Sequence, residues 1–413
     1  MIQGTNGDFY GTTSQGGANG FGTVFRMSVA GGSFTNLHSF NASDGAFPYA
    51  ELARGSDGNF YGTTGGGGTR DKGTVFRISP SGIFTSLYSF ADSDGAYPYG
   101  GLVQGIDGYF YGTTTQGGAL RNGTVFRMSP SGSLTNLHSF GGSDGRYPYA
   151  GLVRGTDGNF YGTTASGGTS GTNGTVYRIS PSGDFTNLYS FSGMDGSRPY
   201  AGLTQGSDGK FYGTTALGGT TGLGVIFRMG SNGSITNLHS FVGPEGGLPY
   251  SGLLQGSDGN YYGTTSYWGA NTNYGSIFRI DPNGNLTTLH SFSGLDGAVP
   301  EARLLQGADG NFYGTTYQGG TNDQGTIFRF SVPLTPSANQ ISGILASNTD
   351  IIITIASVAG ETYQLQFSAS FMSTNWTNVA GAAITNSLGG ALSFTNFGAA
   401  VQTQQFYRFE ITP

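Results

Sequence analysis

Histidine, the acids and arginine are the side chains in this sequence that could do acid–base or metal chemistry. Each returns at a fixed spacing. The four histidines, His38, His138, His239 and His290, all stand in the tetrapeptide Leu-His-Ser-Phe. In two further copies the same position is Tyr88 or Tyr189. A catalytic base or zinc ligand at this position would need an imidazole nitrogen, which tyrosine does not replace. The position is therefore expected to be structural, a ring packed on a partly exposed surface. That removes most hydrolase triads and zinc chemistry. The acids form two sets. Asp8, Asp57, Asp107, Asp157, Asp208, Asp258 and Asp309 precede a glycine in one tight-turn pair. Asp44, Asp94, Asp144, Asp195 and Asp296 do so in a second, where Glu245 is the sixth member. Calcium takes about six to eight oxygens, and each of these segments usually brings one acid, with Asp92-Ser93-Asp94-Gly95 the densest. Turn chemistry accounts for the rest. A carboxylate pair for glycoside hydrolysis needs two distinctive acids, and the repeated sets single out none.

Arg26, Arg77, Arg127, Arg178, Arg228, Arg279 and Arg329 share one position in Thr-Val-Phe-Arg-type segments. Antiparallel pairing places Arg77 opposite Tyr61 and near Asp57, a stacked and hydrogen-bonded structural role. A ligand-binding arginine ring is the alternative. Gln3, Arg54, Gln104, Arg154, Gln205, Gln255 and Gln306 form a second ring near the axis, expected to satisfy backbone groups. The run Gly65–Gly68 is not a phosphate loop, because no Lys-Ser/Thr and no helix follow. Trp376 could stack on sugar, but a core role is favoured.

The elements that must position these residues are repeats. Tyr-Gly-Thr-Thr starts at Tyr10, Tyr61, Tyr111, Tyr161, Tyr212, Tyr262 and Tyr313, every 50 or 51 residues. Each unit holds four strand-like pieces, in the second unit 51–55, 59–64, 73–79 and 84–90. Asp57-Gly58 turns the first into the second, and Pro80-Ser81-Gly82 the third into the fourth. Adjacent large residues such as Phe60-Tyr61 and Val75-Phe76 point to opposite faces, so both faces of each sheet are buried. Four short strands per unit predict an all-β fold: a seven-bladed β-propeller, with the Gly-Leu-x-x-Gly strand innermost. The first three strands occur seven times and the outer strand six, so blade seven lacks its own outer strand. The propeller is expected over 1–332, a linker over 333–337 and a small β-sandwich of immunoglobulin or fibronectin-III type over 338–413. Strand candidates there are 351–355, 362–368, 376–379, 392–395 and 406–411, with Tyr363, Leu365 and Phe367 alternating with Gln364 and Gln366.

The net charge of −6 argues against a nucleic-acid partner. No apolar run reaches membrane-span length, so no membrane insertion is expected. The absence of cysteine removes disulfides and thiolate chemistry. Met1-Ile2-Gln3-Gly4 matches the Leu-x-Gln-Gly of later units, and no signal peptide precedes it. The expectation is a shortened chain.

The pattern G-L-x-x-G-x-D-G-N-F-Y-G-T-T-x-x-G-G-x-x-x-x-G-T-V-F-R resembles the GloVer-type tandem repeat of bacterial "choice-of-anchor" surface proteins over 1–332. Residues 338–413 are similar to carboxy-terminal sandwich modules of secreted proteins. The resemblance implies an extracellular or cell-surface protein and supplies no reaction. On this basis the chain is expected to be a non-catalytic binding or adhesion scaffold, without cofactor or metal, for carbohydrate or a surface protein. A polysaccharide-active propeller enzyme and a purely structural matrix protein are the alternatives. Binding is expected where the repeats differ. The loop 266–274 replaces the usual Gly-Gly with aromatics, so Tyr267, Trp268, Asn271 and Tyr274, with Tyr317 next door, are the candidate ligand-binding residues. Trp268 could equally plug a gap between blades six and seven.

Overall fold

The structure is a computed structural model. It describes residues 1–28, 32–169, 171–270, 273–332, 341–347, 350–357, 362–368, 377–385, 390–396 and 406–412. The chain divides into two compact units, Met1–Ser331 and Val332–Pro413. The expected linker 333–337 lies outside the described residues, as does Trp376.

The first unit is a seven-bladed β-propeller. Six blades are four-stranded antiparallel sheets whose strands follow chain order, and the seventh has three strands among the described residues. Blade two is representative, with Ala53–Arg54 innermost, then Phe60–Thr64, Thr74–Ile78 and Phe84–Ser89. Tyr61 pairs with Arg77, as the spacing predicted, and the tyrosine hydroxyl donates to Asp57 at 2.9 Å. The glycine of Tyr-Gly-Thr-Thr is needed because the third-strand phenylalanine lies across it. A Cβ on Gly62 would stand 2.4 Å from Phe76 Cζ.

The core lies between blades. Tyr61, Val75, Phe90, Leu102, Phe110, Phe126 and Met128 form one buried cluster shared by blades two and three. Tyr61 stacks on Phe110 of the next blade at 3.9 Å, and the same step runs around the ring until Tyr313 meets Phe9 at 4.4 Å. Each such ring pair contributes about 0.5–1.5 kcal/mol beyond its buried area. On the turn face, glutamines link neighbours: Gln104 accepts the Ser56 N–H at 2.8 Å while its amide donates to Gly108 O at 3.0 Å. Gln3 does the same for Ala308 at 3.0 Å, which joins blade seven to blade one. The ring thus closes through innermost contacts.

The histidine position behaves as one site with two residues. His138 Nε2 lies 2.8 Å from Asp144 and stacks on Phe185 of the next blade at 3.9 Å, while Tyr88 and Tyr189 donate to Asp94 and Asp195.

The second unit holds two three-stranded antiparallel sheets, one of Ile341–Ser347, Asp350–Ser357 and Gly390–Asn396, the other of Thr377–Thr385, Thr362–Ser368 and Phe406–Thr412. Tyr363 and Leu365 are buried as the alternation required. Gln366 is buried as well, its amide donating to Asn378 Oδ1 at 2.8 Å.

Candidate active site in the axial channel

Blades approach most closely at the axis. A Cβ on Gly151 would lie 2.4 Å from Gly101 O, so the connectors entering the innermost strands carry little bulk there. Their shared sequence is Pro-Tyr-x-Gly, and the tyrosine just before the narrow point turns into the channel mouth. Tyr49, Tyr99, Tyr149, Tyr200 and Tyr250 line an axial cavity of about 1380 Å³. Successive rings are 5.2–5.7 Å apart, centroid to centroid. Burial raises the hydroxyl pKa of Tyr49, Tyr99, Tyr149 and Tyr250, and neighbouring tyrosines add to it.

The sixth connector breaks this pattern as Pro300-Glu301-Ala302-Arg303. Glu301 takes the tyrosine's place in the collar, with Tyr250 and Tyr49 both within its electrostatic reach. Glu301 is exposed to solvent where it lines the channel, and partial desolvation by the surrounding walls raises its carboxyl pKa. Arg303 takes the glycine's place and spans two blades, its Nε donating to Leu253 O at 2.9 Å and its Nη2 to Thr204 Oγ1 at 3.1 Å. The first connector departs once, at Glu51, which lines the same cavity. A carboxylic acid that holds its proton longer than usual, beside aromatic faces, can protonate a departing oxygen. Among the described residues no three His, Asp or Glu side chains cluster as a metal site.

Sequence reasoning passes over these residues because the aromatic loop 266–274 departs from the repeat more visibly than the connectors do. The signal was present in one place, where Pro-Tyr-x-Gly becomes Pro-Glu-Ala-Arg.

The residues predicted from loop 266–274 do not converge. Tyr317 lines the channel beside Tyr49. Tyr267 is bridged by its backbone to Gly247 and adds to the raised pKa of Tyr250. Trp268 is 37% exposed and lies over Gly247, on the blade five to six connector rather than between blades six and seven. Tyr274 packs on Gly294 and lines a separate 410 Å³ pocket with Gln318 and Asp323. Asn271 lies outside the described residues.

Fold and site together define a seven-bladed propeller with a tyrosine-collared, acid-bearing axial channel. Within that class, the chain belongs to the Gloeobacter/Verrucomicrobia repeat family, whose model matches residues 1–172 and 150–341. No curated protein matches the sequence. Among solved structures, the chain is similar to a protein from Bacteroides fragilis provisionally assigned as a 6-phosphogluconolactonase (17% identity, 94% of this chain and 97% of that one, TM-score 0.51). It is also similar to a gluconolactonase from Xanthomonas campestris (13% identity, 72% and 92%, TM-score 0.45). At these identities the likeness establishes the fold. The expectation of a non-catalytic binding or adhesion scaffold is corrected, since the Bacteroides fragilis propeller of the same fold carries the name of an enzyme, a lactonase. The acids that break the repeat, Glu51 and Glu301, are outnumbered in the sequence by acids that recur in every unit.

Proposed function

We propose that the protein is a hydrolase acting on a carbohydrate-derived substrate bound in the axial channel. The observation that carries this reading is the replacement of a collar tyrosine by Glu301, whose pKa is raised by the channel walls. Tyrosine faces suit the apolar faces of sugar rings. Glu301 protonates the oxygen that leaves when a lactone or glycosidic bond breaks, and Glu51 is the second carboxylate available to the attacking water. The name given to the Bacteroides fragilis propeller, at a comparable fold and nearly full coverage, supports a sugar lactone among the substrates. The extracellular or surface location, the "choice-of-anchor" affiliation and the sandwich form of the second unit belong to the same reading. Their support is the resemblance of the repeat and the strand pattern of 341–412.

The test is a proton-release assay over a panel of aldonolactones and chromogenic glycosides. Glu301→Gln is expected to lower turnover by about 10²–10⁴-fold with an unchanged melting temperature. An acid must be protonated to donate, so the wild-type rate should fall as pH rises through the raised pKa of Glu301, and the variant should lack that limb. Turnover equal in both proteins, or none on any member of the panel, would overturn the proposal.

A further inference from the structure

The narrow point of the channel is lined by one residue from each connector. Gly101, Gly151, Gly202 and Gly252 lead into blades three to six, Glu51 into blade two and Arg303 into blade seven. Two residues further on, the innermost strands carry Ala53, Val103, Val153, Leu254 and Leu305, and blade five alone has a hydroxyl there, at Thr204. Arg303 and Thr204 thus break the repeat at two positions 99 residues apart, and they meet. The arginine leaves blade seven and crosses blade six, where its Nε donates to Leu253 O at 2.9 Å. It ends on blade five, where its Nη2 donates to Thr204 Oγ1 at 3.1 Å. The buried Thr204 hydroxyl donates in turn to the same Leu253 carbonyl, which fixes the group that fixes the guanidinium. Bracing the ring does not call for this arm, since four junctions hold with glycine at its position.

The arm leaves a donor edge open. A guanidinium carries five N–H donors in a planar fork. The two bonds to protein take the Nε–Nη2 edge. Nη1 donates to no acceptor among the described residues, and Arg303 lines the axial cavity. Among the described residues no ion pair involves Arg303. Glu51 leans toward blade three, where a Cβ on Gly101 would stand 3.6 Å from its Cγ. We propose that Arg303 determines specificity by receiving an oxyanion, a carboxylate or a phosphate ester, on the sugar bound in the channel, with Thr204 as its positioning residue. This assignment rests on the channel being a carbohydrate site and narrows its substrate class to acidic sugars. The Nη1–Nη2 edge offers two parallel N–H groups to two oxygens of either anion. Much of the side chain's freedom is already spent on its bonds to protein, so binding has little left to order.

The probes are glucuronate, glucose 6-phosphate and glucose, each titrated calorimetrically into the full chain. At least one of the two anions should bind about 10-fold or more tighter than glucose, and the one that does names the oxyanion. Arg303→Gly restores the residue of four other connectors, and Thr204→Val restores the residue of blades three and four, so both variants should keep the melting temperature. Arg303→Gly should weaken the anion about 10- to 100-fold and leave glucose unchanged. Thr204→Val should weaken the anion about 3- to 10-fold. The double variant should match Arg303→Gly alone, because Thr204 acts through the guanidinium. Glu301→Gln should keep the preference for the anion whether or not the chain turns over lactones, which separates this assignment from the hydrolase reading. The proposal is overturned if neither anion binds more tightly than glucose, or if the preference survives Arg303→Gly. It is also overturned if Arg303→Gly weakens glucose and the anion alike, as loss of a purely structural tie would, or if the losses in the double variant add.

Discussion

The junction between blades two and three and the junction between blades seven and one share their innermost contacts and differ outside them. Both have the tyrosine–phenylalanine contact, stacked at 3.9 Å for Tyr61–Phe110 and tilted at 4.4 Å for Tyr313–Phe9. Both have the glutamine link, at 2.8 Å for Ser56 and 3.0 Å for Ala308. Among the described residues only the first has a connector and an outer strand, and its third-strand residues Val75, Phe76 and Ile78 are fully buried. At the second, Ile327–Phe330 alternates between exposed and half-buried. The difference separates two jobs. Innermost contacts close the ring, while outer strands and connectors keep water from the faces of the sheets. It also separates repetition from function, because the connector leading into blade seven is the one that carries Glu301 and Arg303.

The largest expected effect that probes this contrast is at the strand glycines. Gly62→Ala drives a Cβ against Phe76 in a sheet buried on both sides, and should cost about 1–3 kcal/mol or more. Gly314→Ala makes the same collision with Phe328, at 2.3 Å to the ring's Cζ. Phe328 is half-buried and can swing outward, so the loss should be about half as large. Chemical denaturation of both variants checks this, and equal losses would mean that blade seven is as tightly held as blade two.

A smaller effect of opposite sign is expected at Tyr177, which stands where other blades have phenylalanine. Its buried hydroxyl has no hydrogen-bond partner among the described residues. Tyr177→Phe removes that desolvated group and should stabilise the protein by about 1–2 kcal/mol, read as a higher denaturation midpoint with an unchanged slope. A fall in the midpoint would mean that the hydroxyl has a partner.

The smallest effect is expected at the peripheral histidine position. His138→Tyr keeps the bond to the connector acid, as Tyr88 does with Asp94, and should change stability by less than about 0.5 kcal/mol. A loss above about 1 kcal/mol would show that the imidazole does something the phenol cannot.

Much of this was legible in the sequence because it is local or periodic. The 50- or 51-residue spacing required seven equivalent sheets, and alternation along each strand required two buried faces. The Tyr61–Arg77 pairing followed from hairpin register, which a short turn sets by itself. The exchange of His138 for tyrosine in other copies marked that position as structural. The channel was not legible in the same way. Tyr49 and Glu301 are far apart in sequence, and they meet because inter-blade packing closes the ring with Tyr313 on Phe9. A raised carboxyl pKa depends on the walls around Glu301, and those walls come from other repeats. The sequence by itself determined the blades and their strand order, because each is written within one repeat. The acid-bearing channel was decided only by tertiary structure, since it is a space bounded by residues that closure alone brings together.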